Sequence, residues 1–74
     1  MTGKLTTRKE IGAFVREKRR EQGVTQAQLA GVANTGLRFV SDLENGKGTV
    51  QLRKLLAVLD ALGYGLYIGN RWEK

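Results

Sequence analysis

The side chains of this sequence that could do chemistry are hydrogen-bonding groups between about residues 36 and 45. If this stretch is a helix, Val40 and Leu43 face a core and the opposite face carries Leu37, Arg38, Ser41, Asp42 and Asn45. A guanidinium presents a rigid fork of donors, and hydroxyl and amide groups donate and accept, so such a face can contact base edges or phosphates. The chemistry offered here is therefore recognition of a partner.

Residue types needed for catalysis or metal binding are scarce. The chain has no His and no Cys, which excludes disulfides, iron–sulfur clusters and ordinary zinc sites. Its carboxylates mostly fall at helix-surface spacing, and the Gly46-Lys47-Gly48 segment is too short to be a Walker-type phosphate loop. We therefore expect a chain that is not an enzyme and that uses no metal or cofactor.

Composition and charge describe one small basic domain. The 74 residues include 13 Lys plus Arg and 7 Asp plus Glu, which gives a net charge of +6. Such an excess points to a polyanionic partner, most simply nucleic acid. The longest apolar run, residues 55–59, is far shorter than a membrane-spanning helix of about 20 residues. Nothing resembles a signal peptide, so we expect a cytoplasmic protein.

The starts of the first two helices are predicted by capping boxes, in which a Thr is followed three residues later by Glu or Gln. These boxes are Thr7 with Glu10 and Thr25 with Gln28. They predict helices over about residues 8–22 and 26–33. Gly23 and Asn34 tolerate positive φ and end them. The core-facing positions are Ile11, Phe14, Val15, Leu29, Ala30 and either Val32 or Ala33.

Thr35 and Thr49 are predicted to cap a third and a fourth helix, over about residues 36–44 and 50–62. The fourth helix carries an apolar stripe at helical spacing, formed by Leu52, Leu55, Leu56, Leu59 and Leu62. After Gly63 the hydrophobic period becomes that of a strand. The expected organisation is a flexible arm (1–6), a folded domain (7–63) and a dimerisation strand with its tail (64–74).

Two short helices joined by a tight turn suggest a helix-turn-helix. Residues 23–30, with the pattern Thr-Gln-x-x-Leu-Ala, and residues 40–47, with Leu-Glu-Asn-Gly-Lys, resemble the Cro/CI (Xre-type) helix-turn-helix family over about residues 8–63. The segment after Gly46 and the strand-like Leu66-Tyr67-Ile68 resemble HipB-type antitoxins. This implies a mainly α, lambda-repressor-like fold of four to five helices with a short C-terminal strand. It also implies a repressor of inverted-repeat operators that neutralises a HipA-type serine/threonine kinase toxin.

The resemblance implies roles for individual residues. The family's base-reading positions match Gly36, Leu37, Arg38, Ser41 and Asp42, and its phosphate-binding positions match Gln26, Thr35, Asn45 and Lys47. Arg19 and Glu44 match a pair that forms an internal salt bridge between the first and third helices. Gly36 and Leu37 replace residues that are often polar, which leaves Arg38 as the best candidate to contact guanine O6 and N7. The third helix is slightly acidic, so affinity should come from flanking cations at Lys4, Arg8, Lys47, Arg53 and Lys54.

A single strand of about five residues is not stable alone and exposes an unpaired edge. Pairing with the same strand of a second copy, through Tyr64, Leu66, Tyr67 and Ile68, satisfies both edges. A homodimer would also enlarge the thin core of so short a chain. It would hold two recognition helices about 34–36 Å apart, one turn of duplex DNA.

Three functions stay open on the sequence alone. The first is a dimeric DNA-binding repressor that is the antitoxin of a toxin–antitoxin operon. The second is a stand-alone transcriptional regulator without a toxin. The third is a protein-interaction module that has lost DNA binding, which Gly36 and Leu37 favour. Phe39 could cover the core edge or lean on the DNA backbone, and Trp72 has no assigned role.

Overall fold

The computed structural model describes residue 5 and residues 7–69. This part of the chain forms four α-helices, which are α1 (Arg8–Glu21), α2 (Gln26–Val32), α3 (Leu37–Glu44) and α4 (Leu52–Ala61). The expected mainly α architecture is confirmed. Residues 1–4, 6 and 70–74 lie outside the described residues, so the expectations for the arm, for Lys4 and for Trp72 fall there.

Both capping boxes form as the sequence predicts. The hydroxyl of Thr7 accepts from the Glu10 N–H at 3.1 Å, and the Glu10 carboxylate accepts from the Thr7 N–H at 3.1 Å. Thr25 and Gln28 repeat this exchange at 3.0 and 2.9 Å. Each box joins residues three positions apart, so it satisfies the first backbone donors of its helix without help from the rest of the fold.

The start of α4 differs from the prediction. The helix begins at Leu52 and its N-cap is Gln51, in an extended conformation with φ −90° and ψ 123° and without a side-chain capping bond. Thr49 was therefore wrongly assigned as the cap. The chain after α3 passes through two residues with positive φ, Gly46 and Gly48, and this detour delays the helix by two residues.

The core lies where α1 and α2 pack on α3 and where α4 packs on α2. Its buried apolar residues are Val15, Leu29, Ala30, Ala33, Val40, Leu43, Leu55, Val58, Leu59 and Leu62. At the end of α2 it is Ala33 that is buried, whereas Val32 is exposed. The amide of Gln22, the C-cap of α1, donates to the Leu62 carbonyl at 2.8 Å and so ties the ends of α1 and α4 together.

The apolar stripe of α4 is rotated relative to the prediction. Leu55, Val58, Leu59 and Leu62, at the i, i+3, i+4 and i+7 positions, are buried, and Val58 was not in the expected set. Leu52 and Leu56 are exposed instead. Leu52 is the first residue of the helix, and Leu56 lies about 100° around the axis from Leu55. Neither side chain is therefore buried within a single copy of the protein.

A glycine sets the distance between α1 and α3. Gly12 is buried, and a Cβ placed on it would lie 2.0 Å from the Leu43 carbonyl oxygen. Only a residue without a side chain allows the two backbones to approach so closely. This contact brings α1 against the C-terminal end of α3.

Candidate nucleic-acid interface

The turn between α2 and α3 sets the angle between the axes of these two helices. Asn34 has the positive φ that its predicted role requires, at 56°. The next residue, Thr35, donates its N–H to the Ala30 carbonyl at 2.9 Å. The N-cap of α3 is Gly36, with φ −85°, ψ 152° and no side-chain capping bond. The prediction that Thr35 caps α3 was wrong, because an extended Gly36 takes that place.

The hydroxyl of Thr35 is unusual because it is buried without a hydrogen bond in the described chain. It lies beside a small recess of about 250 Å³ that Arg53 and Lys54 of α4 also line. Thr35, which was predicted to contact a phosphate, thus lies next to Arg53 and Lys54, two of the flanking cations.

The outward face of α3 presents the predicted base-reading residues together. The Arg38 side chain is 94% exposed, and Leu37 is 51% exposed. Ser41 and Asp42 are half-buried, and Gly36 stands exposed at the start of the helix. The Asp42 carboxylate lies 3.7 Å from Nε of Arg38. This face can therefore offer one guanidinium, one hydroxyl, one carboxylate and one apolar side chain to a groove.

A buried ion pair anchors α3 to α1, as the resemblance implied. Nε of Arg19 donates to Oε2 of Glu44 at 2.6 Å, and Nη2 donates to Oε1 at 3.0 Å. The third nitrogen, Nη1, donates to the Val24 carbonyl at 2.9 Å. The side chain of Glu44 is fully buried. Two parallel bonds of this kind fix the geometry as well as the charge balance.

The ionisation of Glu44 follows from these contacts. Burial alone would raise the pKa of the Glu44 carboxyl, but hydrogen bonds from Arg19 and Gln26 and the Arg19 charge hold that pKa below its usual value. The hydrogen bond to Glu44 correspondingly raises the pKa of Arg19. The pair is therefore fully charged at neutral pH.

Gln26, the first residue of α2, is joined to the same carboxylate. Its Nε2 donates to Oε1 of Glu44 at 3.0 Å. An amide nitrogen carries two N–H groups, so this bond uses one of them. The structure thus shows what holds the predicted phosphate-binding amide of Gln26 in place.

Arg16 is a site residue that the sequence analysis missed. Its Nη2 donates to Oδ1 of Asn45 at 2.7 Å, and its Nε lies 3.5 Å from Oε1 of Glu44. Asn45 in turn donates from Nδ2 to the Ser41 carbonyl at 2.9 Å. The available signal was the spacing of three between Arg16 and Arg19, which places both on one face of α1.

Three of the flanking cations contact residues within or just after α3. Arg8 donates to the carbonyl of Gly48, and the exposed Lys47 donates its backbone N–H to the Asp42 carbonyl at 2.8 Å. On α4, Nζ of Lys54 lies 5.6 Å from the centre of the Phe39 ring. Phe39 packs against the core, so within the chain it covers the core edge beneath Lys54.

The segment after α4 shows no hydrogen-bonded strand in the described chain. The ring of Tyr64 packs edge-on against Phe14, with centroids 5.0 Å apart. Leu66 is exposed, and Tyr67 and Ile68 are 89% and 96% exposed. A groove of about 840 Å³ runs between α1, α4 and this segment. That this segment forms a strand by pairing with the same segment of a second copy stays a prediction.

Within residues 5 and 7–69, no group of His, Cys, Asp or Glu could hold a metal ion. None of the four helices is long and apolar enough to cross a membrane.

Comparison with known proteins identifies the family. The sequence model of the helix-turn-helix family matches residues 15–68. This chain belongs to that family, in its Cro/CI-type branch. An HTH-type transcriptional regulator, y4mF of Sinorhizobium fredii, is 50% identical to it over 68 residues, which are 92% of this chain and 90% of the relative.

Solved structures share the helix-turn-helix fold. The clp gene regulator ClgR from C. glutamicum is 30% identical, with a TM-score of 0.74 over 89% of this chain and 85% of that one. A chain of the HipA-HipB-O2-O3 complex is 18% identical, with a TM-score of 0.84 over 95% of this chain and 99% of that one. This helix-turn-helix protein is therefore a transcriptional regulator with a DNA-binding fold, and its family is not enzymatic.

Proposed function

We propose that the protein is a dimeric, sequence-specific repressor, the antitoxin of a toxin–antitoxin operon, which binds an inverted-repeat operator and neutralises a HipA-type serine/threonine kinase toxin. The observation that carries the DNA-binding part is the exposed face of α3, on which Leu37, Arg38, Ser41 and Asp42 lie together. The antitoxin part is supported by the fold shared with a chain of the HipA-HipB-O2-O3 complex. A repressor of this kind works in the cytoplasm, on the nucleoid.

We assign base recognition to α3 and contact with the DNA phosphate backbone to residues on either side of α3 and at the start of α2. Arg38, the most exposed polar residue of the face, suits guanine, whose O6 and N7 accept the two donors of a guanidinium. Leu37 suits a thymine methyl group, and Gly36 lets the backbone approach the groove. Gln26, Thr35, Asn45 and Lys47 are assigned to phosphates, which set orientation and affinity but carry no base sequence.

Arg38→Ala tests the assignment of the base contact. Because one bidentate contact discriminates by about 1–3 kcal/mol, the variant should lose preference at one base pair of each half-site while binding random duplex nearly as the parent does. The measurement is the affinity for a set of single-base operator variants, taken from the DNA upstream of its own gene. Arg20→Ala, an exposed α1 position, is the charge-matched control. An unchanged base profile in Arg38→Ala would refute the assignment.

Assembly through the C-terminal segment is the second part of the proposal. The exposed side chains of Leu66 and Tyr67 line the groove between α1 and α4, and the exposed Ile68 follows them in the chain. Burying them against the same segment of a second copy would remove an apolar surface and pair two strand edges.

Ile68→Asp tests this assembly. The position is 96% exposed in one chain, so the substitution should leave the helical fold intact and shift the protein from dimer to monomer in sedimentation or light scattering. Val32→Asp, at another exposed apolar position, is the control and should leave the dimer unchanged. A parent protein that is monomeric at micromolar concentration would refute the dimer.

The toxin is tested separately from DNA binding. A kinase-like reading frame beside this gene, and a larger protein that co-purifies with the chain and loses kinase activity in the complex, are the expected results. A regulator that binds its operator without such a neighbour would be the stand-alone alternative. A chain that binds no upstream DNA would instead be an interaction module.

A further inference from the structure

Polar side chains from α1, α2 and the C-cap of α3 form one connected cluster around the carboxylate of Glu44, in which two of them reach the carboxylate and the third accepts a hydrogen bond from Arg16. They are Arg16, Gln26 and Asn45, and they lie at positions far apart in the sequence. We propose that these three side chains form one site for a single DNA backbone phosphate and that Arg16 supplies its positive charge. This inference rests on the proposed DNA binding and adds a cation that the sequence did not indicate.

The geometry joins the three side chains without a gap. Oε1 of Glu44 accepts from Nε2 of Gln26 at 3.0 Å and lies 3.5 Å from Nε of Arg16. Nη2 of Arg16 reaches Oδ1 of Asn45 at 2.7 Å. Gln26 opens α2 and Asn45 is the C-cap of α3, so the site spans both ends of the helix-turn-helix. Glu44 and Arg16 together link the two amides.

The charge of this cluster is not balanced internally. Glu44 is already compensated by the two short bonds from Arg19. Adding Arg16 leaves one positive charge in excess. The side chain of Arg16 is 37% exposed, whereas the Glu44 side chain is fully buried, so the excess charge lies on the outer side of the cluster.

Hydrogen-bonding capacity also remains on the outer side. Arginine has five N–H groups, and the structure gives the Arg16 guanidinium one hydrogen bond, to Asn45. Its Nε is buried close to Glu44, without a hydrogen-bond partner among the described side chains and backbone, so the capacity left for a phosphate lies in the remaining N–H groups of Nη1 and Nη2. Gln26 and Asn45 each keep one amide N–H beyond the bonds described. Guanidinium and amide donors of this kind suit a phosphate, which offers acceptors only.

The neutral partners need Arg16 for affinity. Gln26 and Asn45 can orient a phosphate but cannot release counterions, because they carry no charge. Each phosphate neutralised by a cation contributes about 0.9 to the slope of log affinity against log salt concentration. Arg16 should therefore contribute about 0.9 per protomer, and about 1.8 in the proposed dimer.

The experiment compares the parent with Arg16→Gln, Arg16→Lys and Arg20→Gln. Arg16→Gln keeps an N–H donor for Asn45 and removes the charge, Arg16→Lys keeps the charge, and Arg20→Gln removes an exposed charge elsewhere on α1. Affinities for an operator duplex and for a random duplex of equal length are measured between about 50 and 200 mM salt. The concentration of folded protein is determined by titration for each variant. All measurements are made at a temperature below the unfolding transition of every variant.

We expect Arg16→Gln to weaken binding to both duplexes by the same factor and to reduce the salt slope by about 0.9 per protomer. Its affinity deficit should then shrink roughly tenfold for a dimer between the two salt concentrations. Arg16→Lys should restore the slope, and Arg20→Gln should change it much less. An unchanged slope in Arg16→Gln would overturn the phosphate site, whereas a parent that binds neither duplex would overturn the proposed function itself.

Discussion

Gly12→Ala is the substitution that most directly examines how α1 and α3 are held together. The added Cβ would lie 2.0 Å from the Leu43 carbonyl oxygen, 3.0 Å from its carbonyl carbon and 3.3 Å from that of Glu44. Ordinary contact between a methyl group and a carbonyl oxygen needs more than 3 Å, so the two helices must separate by about 1 Å. These neighbours are backbone atoms, which cannot rotate away as a side chain does.

The magnitude follows from one favourable effect and two unfavourable ones. Alanine is a better helix former than glycine by about 1 kcal/mol, which favours the variant. Overpacking a core typically costs about 1–3 kcal/mol, and sometimes more. Separating the helices also weakens the bond of 2.6 Å between Arg19 and Glu44. We expect a net loss of about 2–3 kcal/mol, a large part of the stability of a domain of 74 residues.

The assay is thermal and urea unfolding followed by circular dichroism. A loss of about 2–3 kcal/mol should lower the midpoint of a domain this small by roughly 10–20 °C. Gly31→Ala is the matched control, because Gly31 lies in α2 and no heavy atom would come within 4 Å of its Cβ. That variant should gain up to about 1 kcal/mol from helix propensity. A Gly12→Ala variant as stable as Gly31→Ala would show that α1 and α3 do not approach as described.

Two further predictions concern polar groups inside the fold. The folded state lowers the pKa of Glu44, so the stability that this group contributes is fully present above its unfolded pKa of about 4.3 and is lost as pH falls through the lowered folded pKa. The parent should therefore lose stability on acidification more steeply than Glu44→Gln. At neutral pH this substitution should cost about 3–5 kcal/mol, because it leaves Arg19 buried without its ion-pair partner. Equal dependence of stability on pH in the two proteins would contradict the ion pair. Thr35→Val removes a buried hydroxyl without a partner in the described chain, and a group of this kind costs about 1–3 kcal/mol. Denaturant unfolding of Thr35→Val should show unchanged or slightly higher stability. The same variant should bind DNA more weakly if the hydroxyl contacts a phosphate. A clear loss of stability would show that the Thr35 hydroxyl forms a hydrogen bond in the free protein.

The local features of the helices could be predicted from the sequence because their partners are close along the chain. Both capping boxes join residues three positions apart. The positive φ of Asn34 also fits its local turn. The outward face of α3 followed from the spacing of Val40 and Leu43, both of which are buried. The partnership of Arg19 and Glu44 was available through the family resemblance.

The predictions that failed concern competition between neighbouring positions. Thr35 and Thr49 both precede a helix and have good capping side chains, but Gly36 and Gln51 take the N-cap positions. The path of the chain from the preceding helix selects the N-cap, and residue preference alone does not contain that path. The exposure of Leu52 and Leu56 has the same origin, since an apolar stripe does not show which of its edges a neighbour covers.

What the sequence determined by itself is the set of helices, the helix-turn-helix and the exposed residues of α3, because these depend on hydrogen bonds and periodicities within a few residues. Only the tertiary structure placed Arg16 against Asn45 and Glu44, and only it showed why residue 12 is a glycine. Both facts depend on the approach of α1 to α3, two helices that are joined through α2. Such an approach is decided by the packing of the whole core, which no short segment encodes.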